Sequence, residues 1–207
     1  MRVTTPEPAA LILPKAVLFD MDGTLTDERL DFDSIKQELG MGDGPILEAL
    51  PLLSAPERER VEGILDRWEE QGATTCGLAP GCIDLLDWLE QRDVKTALIT
   101  RNTRRSVETV LERHGLEFEV RLTRECLNGR YKPHPEPLLV ACARLGVDPT
   151  NAWMVGDWRY DIEAGNAAGI KTVWLAGGRE RPFESVPWRS VYDLRELAKL
   201  LAGCQVG

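Results

Sequence analysis

Short apolar runs alternate with helical stripes along most of this chain. Residues 15–20, 94–100, 152–156 and 171–175 are compact apolar segments and read as buried strands, with 118–122 a weaker one. Between them, Leu85, Leu86 and Leu89 follow Cys82 at i+3, i+4 and i+7. Val107, Val110 and Leu111 share one helical face, as do Leu138, Ala141, Cys142 and Leu145, and Leu194, Leu197, Ala198 and Leu201 close the chain. From residue 77 onward strand and helix take turns. This predicts right-handed βαβ units, hence an α/β fold built on a parallel sheet.

One stretch breaks the alternation. Residues 27–79 carry helical periodicity and no convincing strand: Phe32, Ile35 and Leu39, then Ile46, Leu50 and Leu53, then Val61, Ile64, Leu65 and Trp68. Glycines and proline at 40–45, and Ser54-Ala55-Pro56, separate the stripes. The first strand is therefore followed by a small all-helical insert. The predicted division is a core of residues 14–26 and 80–207, a helical cap of 27–79 and an N-terminal tail of 1–13.

Composition narrows the class. The 207 residues are 43% hydrophobic and 29% charged, ordinary values for a globular chain able to bury a sizeable core. A formal charge of −9 argues against nucleic acid as a partner. No apolar run approaches the ~18 residues of a membrane span, so no membrane partner is expected, and the N-terminal apolar stretch is too short for a signal peptide. Five cysteines (Cys76, Cys82, Cys126, Cys142, Cys204) include no CxxC pair, which disfavours zinc and a disulfide framework and suits a cytoplasmic location. The insert holds 13 acids against five bases, −8 of the total −9.

The candidate chemistry lies where predicted strands end. Asp20-Met21-Asp22-Gly23-Thr24 follows the first strand and sets two carboxylates two residues apart before a turn that Gly23 permits. One can serve as nucleophile and the other as general acid/base. A calcium loop of the EF-hand type does not fit: Gly falls fourth instead of sixth, and Asp31 stands where a bidentate Glu belongs. Gly156-Asp157-Trp158-Arg159-Tyr160-Asp161 supplies two more carboxylates, four apart, read as starting a helix and sharing one face; helix capping by Asp157 is the simpler alternative. Together the four acids call for a hard divalent cation. Thr100, in Leu98-Ile99-Thr100-Arg101-Asn102-Thr103, can hold an anion with backbone N–H groups or merely cap a helix. Lys132 stands among three alternating prolines. His114 and His134 are not expected to be catalytic.

Taken in order, Asp20-Met21-Asp22-Gly23-Thr24, Ile99-Thr100-Arg101-Asn102, Lys132-Pro133 and Gly156-Asp157 with Asp161 resemble the four motifs of the haloacid dehalogenase-like superfamily, over residues 15–175. Pro80-Gly81 ahead of the Leu85 helix and the insert itself resemble its phosphoglycolate phosphatase and β-phosphoglucomutase branch. Two positions depart from the pattern: Trp158 stands where a small Ser is usual, and Arg101 where a small or polar residue is usual.

The resemblance implies a Rossmann-like open parallel sheet with its site at the carboxyl ends of the strands, where Asp20, Thr100 and Asp157 already fall. It implies a Mg²⁺-dependent phosphatase acting on a small phosphorylated metabolite, as a monomer or weak homodimer. Asp20 forms an aspartyl-phosphate, and Asp22 protonates the leaving group and then activates water. Asp20 and Asp157 bind the metal by side chain and Asp22 by its carbonyl, while Asp161 completes the metal set or orients Lys132. Thr100, Arg101, Asn102 and Lys132 bind substrate, with Lys132, Thr100 and the backbone N–H of Arg101 stabilising the transferring phosphoryl oxygens. A carboxylate 4 Å from a phosphate charge is opposed by about 4 kcal/mol at an effective dielectric near 20, which is the work the cation does. The alternatives are a phosphomutase, a phosphonatase using Lys36 (the insert's sole lysine), a dehalogenase and, from another class, a phospho-acceptor signalling or binding module. The acidic insert predicts that leaving groups are neutral or cationic alcohols.

Overall fold

The computed structural model describes residues 11–27, 31–42, 44–126 and 128–205. In chain order these form β1 (Ala16–Phe19), α1 (Phe32–Leu39), α2 (Ile46–Ala49) running into a 3₁₀ turn (Leu50–Leu52), α3 (Ala55–Thr75), α4 (Cys82–Glu90), β2 (Lys95–Ile99), α5 (Arg104–His114) and β3 (Val120–Leu122). Then come α6 (Glu136–Leu145), a 3₁₀ turn (Pro149–Asn151), β4 (Ala152–Gly156), α7 (Arg159–Ala167), β5 (Lys171–Leu175), β6 (Arg189–Val191) and α8 (Leu194–Ala202).

The six strands make one open sheet in the order β3-β2-β1-β4-β5-β6, every pairing parallel. The α/β parallel-sheet expectation is met. The chain winds outward from β1 on one side and then, after β3, outward from β4 on the other. The reversal between β1 and β4 opens a crevice at their carboxyl ends, the place where open α/β sheets bind ligands.

Side chains alternate across the sheet because successive residues of a strand point to opposite faces. Val17 and Phe19 of β1, with Leu98, Trp153, Val155 and Val173, pack against α4, α5 and α8 on one face. Ala16 and Leu18, with Ala97, Ile99, Ala152 and Met154, pack against α6 and α7 on the other. All four residues of β1 are fully buried, which a strand covered on both faces requires. Cys76, Cys82 and Cys142 are among the buried apolar groups, and all five cysteines are free thiols.

The insert makes its own apolar cluster: Ile35 and Leu39 of α1, Ile46 and Leu47 of α2, and Val61 and Leu65 of α3. Ser54-Ala55-Pro56, read as a break, is a helix start. Ser54 exchanges hydrogen bonds with Glu57 and Pro56 sits in the first turn, where its missing N–H costs nothing. The strands of chain entering and leaving the insert pair with each other: Asp27 N–H donates to the Gly77 carbonyl (3.0 Å) and Gly77 N–H to the Asp27 carboxylate (2.9 Å). Of the expected 1–13 tail, residues 1–10 lie outside the described residues. Residues 11–13 run beside Gln205, whose N–H donates to the Leu11 carbonyl. The sequence reading overlooked β6, a three-residue strand (Arg189–Val191) with two exposed positions and no apolar run to mark it.

Candidate active site

Three strand ends converge. Asp20 follows β1 and donates its N–H to the carbonyl of Val155 in β4 (3.0 Å); Thr100 follows β2 and donates to Leu122 of β3 (3.0 Å); Asp157 follows β4. Parallel registry brings these residues to one level although over 130 positions separate the first from the last. The chain then turns over Asp20 through Met21, whose carbonyl accepts from the N–H groups of Thr24, Leu25 and Thr26. Gly23 holds φ +71° in this turn, and a Cβ there would lie 2.6 Å from Oδ2 of Asp157. The conformation and the close approach to the facing carboxylate both demand glycine.

Asp157 and Asp161 do not share a helical face as expected. Helix α7 begins at Arg159, so Asp157 belongs to the strand–helix turn, and it caps nothing. What unites the two is Gly156: a Cβ at that position would overlap the Asp161 side chain, so its absence lets Asp161 fold back beneath the turn. Asp161 Oδ2 accepts the N–H of Trp158 (3.1 Å).

Asp20, Asp157 and Asp161 each present a carboxylate oxygen within 4.8 Å of the others. Into this cluster reaches the ammonium of Lys132, only 2% exposed, donating to Oδ1 of Asp20 and Oδ1 of Asp161, both at 2.6 Å. Burial disfavours the ammonium, but Asp161 and Asp20 outweigh it and hold Lys132 protonated above its ordinary range. Burial first, then the negative charges of Asp20 and Asp161, push Asp157 up to about 7; the Arg179 guanidinium on its Oδ2 (3.2 Å) opposes this. The oxygens of the cluster not engaged by protein, among the described residues, include Oδ2 of Asp20 and Oδ1 of Asp157. An all-oxygen donor set with excess negative charge and two free carboxylate oxygens fits a hard divalent cation.

The Asp22 carboxylate stands apart from this cluster. Its Oδ2 accepts from Nδ2 of Asn102 (2.6 Å), and burial, with Asp20 the next cause, pushes its pKa up to about 7. A carboxyl poised there can give and take a proton near neutrality. Thr100 is buried, its hydroxyl accepting the N–H of Asn102 (3.2 Å), while the cap of α5 is Thr103. Arg101 lines the cavity, and its side chain reaches Glu48 of α2 (2.8 Å) and the carbonyl of Lys132 (3.0 Å). His134 is an exposed loop residue and His114 ends α5 against the Cys76 carbonyl (3.1 Å), neither near the carboxylates.

The cluster opens into a cavity of about 510 Å³ roofed by α1, α2 and α3, with Ile35, Ile46 and Leu65 among its apolar lining and Lys36, Glu69, Trp158 and Arg159 among its polar rim. Trp158 is 43% exposed, packed edge-on to Phe183. The insert's acids do not confront the cavity as a bare negative lid. Glu48 pairs with Arg101, Asp66 and Glu69 with Arg124 (2.9 and 2.6 Å) and Glu70 with Arg105 (2.5 Å), all arginines of the sheet domain. Glu38 pairs within the insert with Arg67, and Glu28 and Asp43 lie outside the described residues. The pairings with sheet-domain arginines offset part of the insert's negative charge where it meets the sheet domain. Charged lining side chains without an ion-pair partner, among the described residues, are Lys36 and Arg159 together with Asp22 and Asp33.

Glu69 escaped the sequence reading. It is 6% exposed, accepts the N–H of Thr103 (3.0 Å) and lines the cavity. Its signal was present: it follows Val61 and Leu65 at i+8 and i+4, an acid on an apolar stripe. Arg179 had no such signal, lying in a loop after two glycines.

A family model described as haloacid dehalogenase-like hydrolase matches residues 14–169. An N-acetylmuramic acid 6-phosphate phosphatase of Pseudomonas aeruginosa is 35% identical over 81% of this chain and 84% of its own. A phosphoglycolate phosphatase of Pseudomonas savastanoi pv. phaseolicola is 33% identical over 93% and 80%. A hydrolase from Pseudomonas syringae has the same fold, with a TM-score of 0.77 over 90% of this chain and 97% of that one, at 20% identity.

Proposed function

Because the chain belongs to the haloacid dehalogenase-like hydrolase family, we propose that it is a Mg²⁺-dependent phosphatase that hydrolyses a small phosphate monoester through an aspartyl-phosphate on Asp20. The observation that carries this reading is Lys132 bridging Asp20 and Asp161 at the mouth of a closed-over cavity, with Asp22 held separately by Asn102.

Asp20 is assigned as the nucleophile because it leads the Asp20-Met21-Asp22-Gly23-Thr24 motif at the end of β1, belongs to the carboxylate cluster and lines the cavity, its side chain 14% exposed. Its oxygen attacks phosphorus in line, and the bond to the leaving oxygen breaks. Asp22 delivers the proton to that oxygen. In the second half, Asp22 takes a proton from water as it attacks the acyl phosphate, and inorganic phosphate leaves with Asp20 regenerated. Lys132 and the N–H groups beside Thr100 balance charge on the transferring oxygens. Asp161 keeps Lys132 in place. Asp20 and Asp157 would hold the Mg²⁺ through carboxylate oxygens and Asp22 through its carbonyl, and the ion would screen the repulsion between carboxylate and phosphate.

The substrate is a small phosphorylated metabolite, sized to about 510 Å³. Two relatives are named for phosphorylated acids, phosphoglycolate and N-acetylmuramic acid 6-phosphate. Pairing of four of the insert's acids, Glu48, Asp66, Glu69 and Glu70, with arginines weakens the charge argument against such a leaving group. Five free thiols suit a cytoplasmic setting, and no helix of the described residues is long and apolar enough to cross a membrane. The protein acts as a monomer or weak homodimer.

The test is phosphate release from a panel of phosphate esters with Mg²⁺ and with EDTA, together with trapping of phosphorylated protein. The expected result is Mg²⁺-dependent turnover and label on Asp20. A halide product, borohydride trapping on Lys36, or a phosphoaspartate that persists without turnover would overturn it in favour of a dehalogenase, a phosphonatase or a signalling module.

A further inference from the structure

Arg101 stands where the family resemblance leads one to expect a small or polar residue, and its guanidinium makes contacts that phosphate binding does not call for. Nη2 pairs with the carboxylate of Glu48 at 2.8 and 2.9 Å. Nη1 donates to the backbone carbonyl of Lys132 at 3.0 Å. The guanidinium carbon also lies 4.9 Å from the ring centre of Tyr131 and 4.2 Å from that of Tyr160. The partners come from three separate stretches of chain. Tyr131 and Lys132 precede α6, Tyr160 immediately precedes Asp161 in α7, and Glu48 lies in α2 of the insert. Tyr131 packs in addition against the insert's own apolar cluster. Arg159 completes the group, 4.8 Å from the Tyr160 ring and donating to its hydroxyl at 3.1 Å.

We propose that Arg101 is a positioning residue that ties the helical insert to the loops bearing Thr100 and Lys132 and to the first turn of α7 bearing Asp161, so that seating α2 over the cavity and aligning the phosphoryl-binding groups are one event. A planar fork with two donating edges and two stackable faces makes all these contacts at once. A lysine offers a single charged point and can satisfy one of them. Among the described residues, the other arginine–carboxylate ties to the insert run from Asp66, Glu69 and Glu70 of α3 to Arg124 and Arg105, Arg113 donates to the Ala73 carbonyl at the end of α3 (2.8 Å), and all of these hold a different part of it. Glu48 is therefore the tie that reports on α2, and Arg101 the residue through which it reaches the catalytic loops.

The kinetic part rests on the phosphatase reading; the exchange part does not. The full chain is prepared as wild type, Arg101→Met, Arg101→Lys, Glu48→Gln and the double Arg101→Met/Glu48→Gln. Amide hydrogen exchange is followed over residues 46–53, and kcat and KM are measured for Mg²⁺-dependent hydrolysis of p-nitrophenyl phosphate. Exchange over 46–53 is expected to quicken about fivefold or more in each single variant, with no further gain in the double, because both ends of one contact have been removed. In Arg101→Met, kcat falls about tenfold or more as the catalytic loops lose register. In Glu48→Gln the loss is a few-fold and falls mainly on KM. Arg101→Lys rescues neither. Unchanged exchange in Glu48→Gln, effects that multiply in the double, or wild-type behaviour of Arg101→Lys would each overturn the proposal. Should Arg101→Met not fold, the Glu48→Gln exchange and the Arg101→Lys kinetics still decide it. A wild-type protein inert toward every ester sinks the phosphatase reading and leaves the exchange result standing.

Discussion

Two sets of charges face one cavity, and they are built differently. At the strand ends, Lys132 and three carboxylates are packed into a buried cluster whose members are 2–14% exposed where they pair. Along the seam between insert and sheet domain, arginine–carboxylate pairs span two bodies, and in two of the four the carboxylate is open to solvent: Glu70 is 43% and Asp66 58% exposed. Burial makes the first set expensive to disturb, because removing one member strands the rest in a medium that cannot solvate them. Exposure makes the Glu70 and Asp66 pairs of the second set individually cheap. The buried set can therefore serve chemistry that needs fixed geometry, and the exposed set can hold a roof that must open to admit substrate.

The largest effect expected is at the nucleophile. Asp20→Asn keeps the shape of the site and should abolish phosphate release and phospho-enzyme formation together, as a single-turnover assay with labelled ester would show; substantial residual turnover would exclude Asp20. Asp22→Asn should slow both half-reactions while Mg²⁺ affinity, read by calorimetry, stays within a few-fold, since the proposed ligand there is a carbonyl.

Next comes Lys132→Met. Removing the ammonium leaves Asp20 and Asp161 facing each other without compensation, a loss on the order of 3–5 kcal/mol in unfolding free energy. The double variant Lys132→Met/Asp161→Asn should recover much of that stability in a urea titration and none of the activity. If the single variant unfolds at the wild-type midpoint, the cluster is not the buried network described.

Metal removal and pH sharpen the contrast further. Burial raises the folded-state pKa of both Asp22 and Asp157 to about 7 from 3.8, so their ionised forms are disfavoured by folding. Stability linked to a raised carboxylate pKa is present at low pH and is lost as pH rises through the folded value. In EDTA, the melting temperature should therefore fall between about pH 5 and 8, by roughly 5 °C or more. Mg²⁺ should flatten the slope by favouring ionised Asp157. A melting temperature that climbs across this window in EDTA would contradict the burial of these carboxylates.

The smallest effects belong to the seam. Glu69→Ala leaves the Thr103 N–H without its partner and should cost about 1–3 kcal/mol. Glu70→Gln, at an exposed pair with Arg105, should cost about 0.5 kcal/mol or less, at the edge of what denaturation resolves. If the two proved equal, burial would not be what separates the two kinds of charge.

Much of the molecule was legible beforehand. Alternating strand and helix stripes implied the parallel sheet, because a strand covered on both faces must be apolar at every position, as β1 is. Acids and a hydroxyl at the ends of those runs marked Asp20, Thr100 and Asp157, since the carboxyl ends of parallel strands are exposed to a crevice whatever the remaining sequence. The helical insert announced itself by its periodicity and its charge.

Strand β6 was not legible, because half-exposed edge strands carry no apolar run. The manner in which Asp157 and Asp161 meet was also hidden: a helical spacing suggested a shared face, whereas the side chain missing at Gly156 is what admits Asp161. The fate of the insert's acids was hidden for a deeper reason. A count of charges along a chain measures what must be neutralised, and only folding brings Arg101, Arg105 and Arg124 from the sheet domain across to Glu48, Glu70 and Glu69. Periodicity and motif order act between neighbours and survive in the one-dimensional text. Ion pairs across a seam depend on which distant surfaces meet, and that is decided by packing.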